Sequence, residues 1–194
     1  MYENAYKNIK ETSLKDLENF LQLLADLEQE IELFALGGTA MIIKGIKEAT
    51  KDIDFLTTLD YEAFRNCMNA TGLKETSRST KICSTWYANN DLRIDVFFDE
   101  SIMGITLPED WRGISEEIRT IGKVKLHILN WYDIIITKTA RSEPRDIEDI
   151  LMIIKDQHID FQKLKKRYYD LAETSLIAAY DLKFKVLERR WEKK

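Results

Sequence analysis

Cysteine, histidine and proline occur twice each in this 194-residue chain, and glycine seven times. Cys67 and Cys83 have no close partner in sequence, so they read as ordinary reduced thiols and not as a disulfide framework. With only His127 and His158 to add to them, there is no zinc knuckle either. No apolar run approaches the roughly 20 residues a membrane helix needs. The opening MYENAYKNIKETS lacks the apolar stretch of a signal peptide, so a cytoplasmic protein without membrane contact is expected. Also missing are G-x-S-x-G, G-x-x-x-x-G-K-S/T and G-x-G-x-x-G, and with them hydrolase, P-loop and dinucleotide readings lose ground.

What is present is ordinary globular material, 44% apolar and 32% charged residues. It suffices for one domain with a sizeable core, or one domain with a small helical appendage. The net charge of −5 argues against a surface uniformly coated for nucleic acid, but it is unevenly spread. From residue 161 to 194 there are 10 Lys and Arg against 5 Asp and Glu; the first 160 residues hold the remaining 19 against 29. A basic tail on an acidic body suits a grip on RNA and equally a solvated helix face.

Apolar spacing predicts an amphipathic helix over SLKDLENFLQLLADLEQEI, capped by Ser13 or Thr12, with Leu14, Leu17, Phe20, Leu21 and Leu24 on one face. ELFAL reads as a strand, TAMIIKGI as a short helix that Gly45 helps to end, and DIDFLTT as a second strand. DYEAFRNCMNATG is a helix that Asp60 caps and Gly72 closes. ICSTWYA and DLRIDVFF form a hairpin joined through Asn89 and Asn90, and SIMGITLPEDWRG is irregular. EEIRTIGKVKLHIL offers two short strands around Gly122. NWYDIIITKTARS, PRDIEDILMIIKDQ with Pro144 in its first turn, and the basic remainder are helical. The sum is an α/β (α+β) fold, a mixed sheet flanked by helices. Residues 1–129 would form the core with its N-terminal helix, and residues 130–194 a helical portion packed on it.

In D-I-D-F, strand alternation puts Asp52 and Asp54 on one face and Ile53 and Phe55 on the other. R-I-D-V-F repeats the pattern: Arg93, Asp95 and Phe97 share a face. If the two strands are neighbours, Asp52, Asp54 and Asp95 form a triad whose mutual repulsion calls for a cation, and Mg²⁺ is the natural partner of such hard oxygen ligands. Without a Cβ, Gly37 and Gly38 let backbone approach a ligand, and the Thr39 hydroxyl and nearby N–H groups are expected to face a phosphate chain.

The G-G pair, thirteen residues, D-I-D and a later R-I-D-V-F together resemble the nucleotidyltransferase fold of the polymerase-beta superfamily. Lys47 and Thr50 look like the basic residue and threonine before D-x-D in the branch containing AbiEii-type toxins. NWYDIIITKTARSEPRDIEDI is similar to that branch's lysine-bearing helix and R-D-x-x-D segment, here Lys138, Arg145, Asp146 and Asp149. The resemblance runs from Leu33 to Leu151, departing where Gly38-Thr39 replaces Gly-Ser, with Thr39 as the substitute phosphate contact. It implies attack by an acceptor hydroxyl on the α-phosphate of an NTP, with Asp52, Asp54 and Asp95 holding Mg²⁺ or Mn²⁺ and Asp95 assisting deprotonation. Lys138 and Arg141, three residues apart on one helix face, would reach the triphosphate; Gly37, Gly38, Thr39, Lys47, Thr50 and Arg145 complete the nucleotide-binding set. It further implies an RNA (tRNA) or protein acceptor, and for some members a toxin neutralised by an antitoxin protein.

Blander readings stand beside these. A D-x-D can be a solvated strand edge, and two glycines a turn. Lys138 and Arg141 also read as an exposed helix face balanced by Glu143 and Asp146, while Asp146 and Asp149 complement a helix dipole. His127 reads as a surface or satisfied core histidine, and His158 as a partner of terminal helix carbonyls. Trp86, Tyr87, Trp131 and Tyr132 stack on a base or fill the core. The alternative to an enzyme is a catalytically silent module holding a nucleotide or protein on the same fold.

Overall fold

The computed structural model of the chain describes residues 11–77, 79–88, 92–175 and 177–192. A two-residue strand β1 (Thr12–Ser13) leads into α1 (Leu14–Ala25), whose start is fixed by a reciprocal box between Ser13 and Asp16. Leu17, Phe20, Leu21 and Leu24 of α1 are buried, as their spacing predicts, whereas Leu14, expected with them, is exposed in the first turn. The helix is shorter than the expected 13–31. It ends at an Asp26 cap, Glu28 has left-handed backbone (φ 55°), and Gln29 and Glu30 are exposed. No apolar face remains there to hold another turn.

Strand β2 (Ile31–Ala35) then runs into α2 (Gly37–Ile43), and β3 (Ala49–Thr50) pairs antiparallel with β1. After β4 (Ile53–Thr57) comes α3 (Tyr61–Ala70), capped by Asp60 and followed by Gly72 at φ 78°. Strand β5 (Lys74–Glu75), β6 (Cys83–Tyr87) and β7 (Arg93–Phe97) follow; β6 and β7 form the expected hairpin. Asn89 and Asn90, expected in its turn, lie outside the described residues. The stretch expected to be irregular contains a small hairpin, β8 (Ser101–Ile102) and β9 (Ile105–Thr106), turned by Met103 and Gly104 at positive φ. Its far end buries Trp111, whose ring meets Phe34 edge-on at 4.6 Å.

Strands β10 (Glu116–Ile121) and β11 (Val124–Ile128) pair around Gly122. Seven strands form one mixed sheet in the order β10-β11-β2-β4-β7-β6-β5. The β11–β2 and β4–β7 pairs are parallel and the rest antiparallel. Burial of Ile53 and Phe55 on one side of β4, and of Leu56 and Thr57 farther along, shows both faces covered except around Asp54.

Helices α4 (Trp131–Arg141), α5 (Pro144–Asp156), α6 (Phe161–Thr174) and α7 (Tyr180–Trp191) complete the chain. The basic remainder is thus two helices separated by a break. α4 packs against α5, α6 and α7. Among the described residues, no helix is long and apolar enough to cross a membrane.

One buried ion pair pins α6 to α4. Arg167 donates from Nε and Nη2 to the two oxygens of Asp133, both at 2.7 Å, and from Nη1 to Asp110 at 2.8 Å. Asp133 is wholly buried and also accepts from Asn130. Arg167→Ala, which strands that carboxylate, is expected to destabilise the protein by about 3 to 5 kcal/mol. Chemical denaturation measures it; an unchanged midpoint would mean the pair contributes nothing.

Candidate active site

The parallel register of β4 and β7 sets Asp54 directly opposite Asp95. Asp52 stands in the bend just before β4. One carboxylate oxygen from each of Asp52, Asp54 and Asp95 lies within 4.8 Å of the other two. The antiparallel pairing of β2 with β4, Ala35 opposite Phe55, brings the end of β2 and the glycines that follow it to the same place.

Gly37 has φ +55°, and a Cβ on it would come 3.1 Å from Asp54 Oδ2. Its bareness therefore keeps the carboxylate free. Gly38 has a different reason: a Cβ there would fall 2.0 Å from Thr50 Oγ1 and 2.8 Å from Thr50 Cβ. Gly38→Ala is expected to cost about 2 kcal/mol through overpacking. Adding Thr50→Gly, which removes both clashing atoms, should recover most of that loss in thermal denaturation; no recovery would show that the strain lies elsewhere.

Thr39 was expected to face a phosphate chain. It is fully buried instead, and its Oγ1 accepts the Asp54 N–H at 2.8 Å and reaches the Asp52 carbonyl at 3.5 Å. The hydroxyl thus fastens the first turn of α2 to the strand that carries the acids. Thr50 likewise packs on Gly38 and pairs with Thr12.

Electrostatics at the triad are adverse. Burial, followed by the Asp52 and Asp95 charges, pushes the Asp54 carboxyl up to about 7, against the lowering pull of Lys138 and Arg141. Burial also raises Asp52, with Arg93 opposing and Asp95 adding to the rise. Three hard carboxylate oxygens converging where negative charge is disfavoured form a donor set that fits a hard divalent cation.

Arg93 is the residue that sequence reasoning left out of the site. Its Nη2 lies 2.7 Å from Asp95 Oδ2, its Nε donates to Asp95 Oδ1 at 3.1 Å, and its Nη1 lies 3.6 Å from Asp52 Oδ2. Thr85, opposite Asp95 in the β6–β7 register, donates to Asp95 Oδ1 at 2.7 Å. The shared face of Arg93 and Asp95 was a usable signal; Thr85 had none, because a turn placed at Asn89 and Asn90 does not give the register that sets Thr85 opposite Asp95.

Beside the triad lies a second cluster. Lys138, 4% exposed, donates to Asp149 Oδ2 at 2.6 Å and to Asp146 Oδ1 at 3.4 Å. Lys47 pairs with the other Asp149 oxygen. Arg141 grips Asp146 with Nε at 2.8 Å and Nη2 at 2.6 Å, and the Glu143 N–H adds a third contact. Burial would raise the Asp146 carboxyl, but Arg141 and Lys138 hold it below the ordinary aspartate range. Asp146 and Asp149 therefore anchor cations as well as opening a helix. Arg145 is on the exposed side of α5.

The remaining candidates divide. Trp86 is fully buried core, and Tyr87 is exposed. Trp131 and Tyr132 line a cleft of about 250 Å³ together with His158 and Lys163, and none of the three acids borders it. Gln157 closes α5 through its N–H to the Ile153 carbonyl, so the helix end does not need His158, which is exposed. His127 stacks on Phe34 at 4.5 Å. Burial, then Asp95 and Asp54, raises the Cys83 thiol to about 11, and both cysteines are free.

The profile of a family described as "Nucleotidyltransferase of unknown function (DUF6036)" matches residues 12–194. The chain belongs to that family. It is accordingly an enzyme of the nucleotidyltransferase class. No protein of curated function matches the sequence closely enough to count as a relative. Solved structures share the fold at low identity. The antibiotic-resistance factor ANT(2'')-Ia in solution has a TM-score of 0.58 at 16% identity, covering 94% of this chain and 100% of that one. ANT(2'')-Ia with adenylyl-2''-tobramycin gives 0.56 at 17%, covering 81% and 97%. The lincosamide antibiotic adenylyltransferase LnuA, lincomycin-bound, gives 0.55 at 12%, covering 74% and 98%. These likenesses establish a nucleotidyltransferase fold, as the motif order predicted.

Proposed function

We propose that this nucleotidyltransferase is metal-dependent and moves NMP from an NTP to a hydroxyl of an RNA, a tRNA in particular, or of a protein. The observation that carries this is the convergence of Asp52, Asp54 and Asp95 beside a glycine that leaves Asp54 open. Asp52, Asp54 and Asp95 are the residues to hold Mg²⁺ or Mn²⁺. When bound, such an ion supplies charge neutralisation and Lewis-acid polarisation of phosphoryl oxygens.

The chain's own residues do the rest. Gly37 lets the triphosphate approach the backbone beside Asp54, while the bareness of Gly38 makes room for Thr50, which with Thr39 braces the start of α2 against the strand that carries the acids. Lys138 and Arg141, whose charges already act on Asp54, set a positive potential for the phosphates, with Lys47 held beside Lys138 on Asp149 and Arg145 offered from the exposed side of α5. The acceptor oxygen bonds to the α-phosphorus, its proton passes to a carboxylate oxygen of Asp95, and the bond to the bridging oxygen breaks as pyrophosphate leaves.

The acceptor is the finer part of the reading. The positively charged helices α6 and α7 suit an RNA backbone. Lys47 and Thr50 before the D-x-D, and Lys138 before R-D-x-x-D, support the AbiEii-type branch, a toxin neutralised by an antitoxin protein, in a cytoplasm that supplies NTP and Mg²⁺.

The test is incubation with Mg²⁺ or Mn²⁺ and each α-labelled NTP, offered total RNA, protein extract or an aminoglycoside in separate reactions. Label in RNA or protein supports the reading. Label confined to the aminoglycoside would move the acceptor to the small-molecule class of the ANT(2'')-Ia complex. No label anywhere would contradict transfer.

A further inference from the structure

Among the described residues, no hydrogen bond or ion pair reaches the Asp54 carboxylate, whereas its two partners are already engaged by Arg93. Asp95 has both oxygens occupied, Oδ1 by Thr85 and Arg93 Nε, Oδ2 by Arg93 Nη2. Asp52 faces Arg93 Nη1 at 3.6 Å. The guanidinium thus bridges two of the three acids from the edge of the cluster. A divalent ion that uses Asp95 Oδ2 must displace it, and must also bear its like charge nearby. The Arg93 side chain is 41% exposed, so it has somewhere to go.

We propose that Arg93 is a built-in counter-cation that competes with the metal for Asp52 and Asp95 and is released to the phosphates of the incoming nucleotide. The proposal rests on the metal-dependent reading of the triad. Its consequence is coupling between two ligands. Bare metal binds weakly because it must expel Arg93, and metal carried by a triphosphate binds better because the freed guanidinium gains phosphate oxygens, its natural bidentate partners. Arg93 is a positioning residue here, acting on metal occupancy through Asp52 and Asp95.

The test titrates Mn²⁺ into the 194-residue protein and into Arg93→Gln and Arg93→Lys, reading free Mn²⁺ by paramagnetic resonance, first alone and then as the preformed Mn²⁺–tripolyphosphate complex. Bare Mn²⁺ should bind Arg93→Gln about tenfold more tightly than the parent, with Arg93→Lys in between because it keeps the charge without the fork. For the tripolyphosphate complex the order should reverse, the parent binding most tightly. A purely structural Arg93 would not produce that crossing. Arg93→Gln binding bare Mn²⁺ no better than a folded parent, as judged by thermal denaturation, overturns the proposal. So does an unreversed order with tripolyphosphate. Asp54→Asn separates the two levels of failure: if neither the parent nor any variant binds Mn²⁺, the metal reading of the triad fails with it. If the parent binds and Asp54→Asn does not, only the role of Arg93 is in question.

Discussion

Asp54→Asn is expected to lower nucleotidyl transfer by about a hundredfold to a thousandfold, the scale associated with losing an electrostatic centre of the transition state. The same substitution should make the metal-free protein more stable at neutral and alkaline pH. The Asp54 carboxyl sits at about 7 in the folded chain, against 3.8 for an exposed aspartate, so the folded state holds this proton more tightly than the unfolded one. That contribution is complete below pH 4 and is lost as pH rises through 7. Above pH 7 the parent carries a half-buried anion beside Asp52 and Asp95, and the neutral amide does not. The gain should be about 2 to 4 kcal/mol at pH 8, reduced by whatever solvent reaches the site, and should vanish near pH 4. Thermal denaturation of both proteins in chelator across pH 4 to pH 8 measures it. Equal stability at every pH would mean that the three acids do not repel one another.

Lys138→Met carries the second large effect. Lys138 is almost wholly buried between Asp146 and Asp149, and its removal leaves Asp149 with Lys47 alone and Asp146 with Arg141. Breaking a buried pair of this kind costs about 3 kcal/mol or more. Replacing Lys138 and Asp149 together with Met and Leu should return part of that, since the buried carboxylate is then gone and Lys47, left without it, is exposed enough to turn to solvent. The positive charge that Lys138 contributes at Asp54 is lost in both variants. Transfer measured well below the unfolding temperature should therefore fall at least tenfold in each, however stable the double variant is. Parent-level transfer by folded Lys138→Met would confine this lysine to holding α5 against α4.

Alternation in D-I-D-F and R-I-D-V-F put Asp54 and Asp95 on their faces, because a period of two needs no tertiary information; Asp52 lies in the bend before β4, and its carboxylate joins the cluster from there. The neighbouring of β4 and β7 was only a condition in the sequence, and the parallel register now meets it. The reach of Lys138 toward phosphate was read from its spacing to Arg141, but spacing on one helix is blind to what α5 brings up against it. Asp146 and Asp149 arrive there only when the chain turns at Ser142, which adopts left-handed backbone. The hydrogen bonds of Thr39 were equally out of sight: its buried hydroxyl serves the backbone of a strand thirteen or more residues away. Arg93 shows the opposite case, a residue whose shared face with Asp95 was visible and whose bond to it follows from that face.

In the proposed reaction Asp52, Asp54 and Asp95 together bind the metal used in transfer. Crystals grown with Mn²⁺ and a non-hydrolysable NTP analogue, with data collected at the manganese edge, test it most directly. An anomalous peak in contact with an oxygen of each of the three aspartates is the expected result. Manganese bound elsewhere, with the triad still bridged by Arg93, in a protein that transfers nucleotide, would contradict the account.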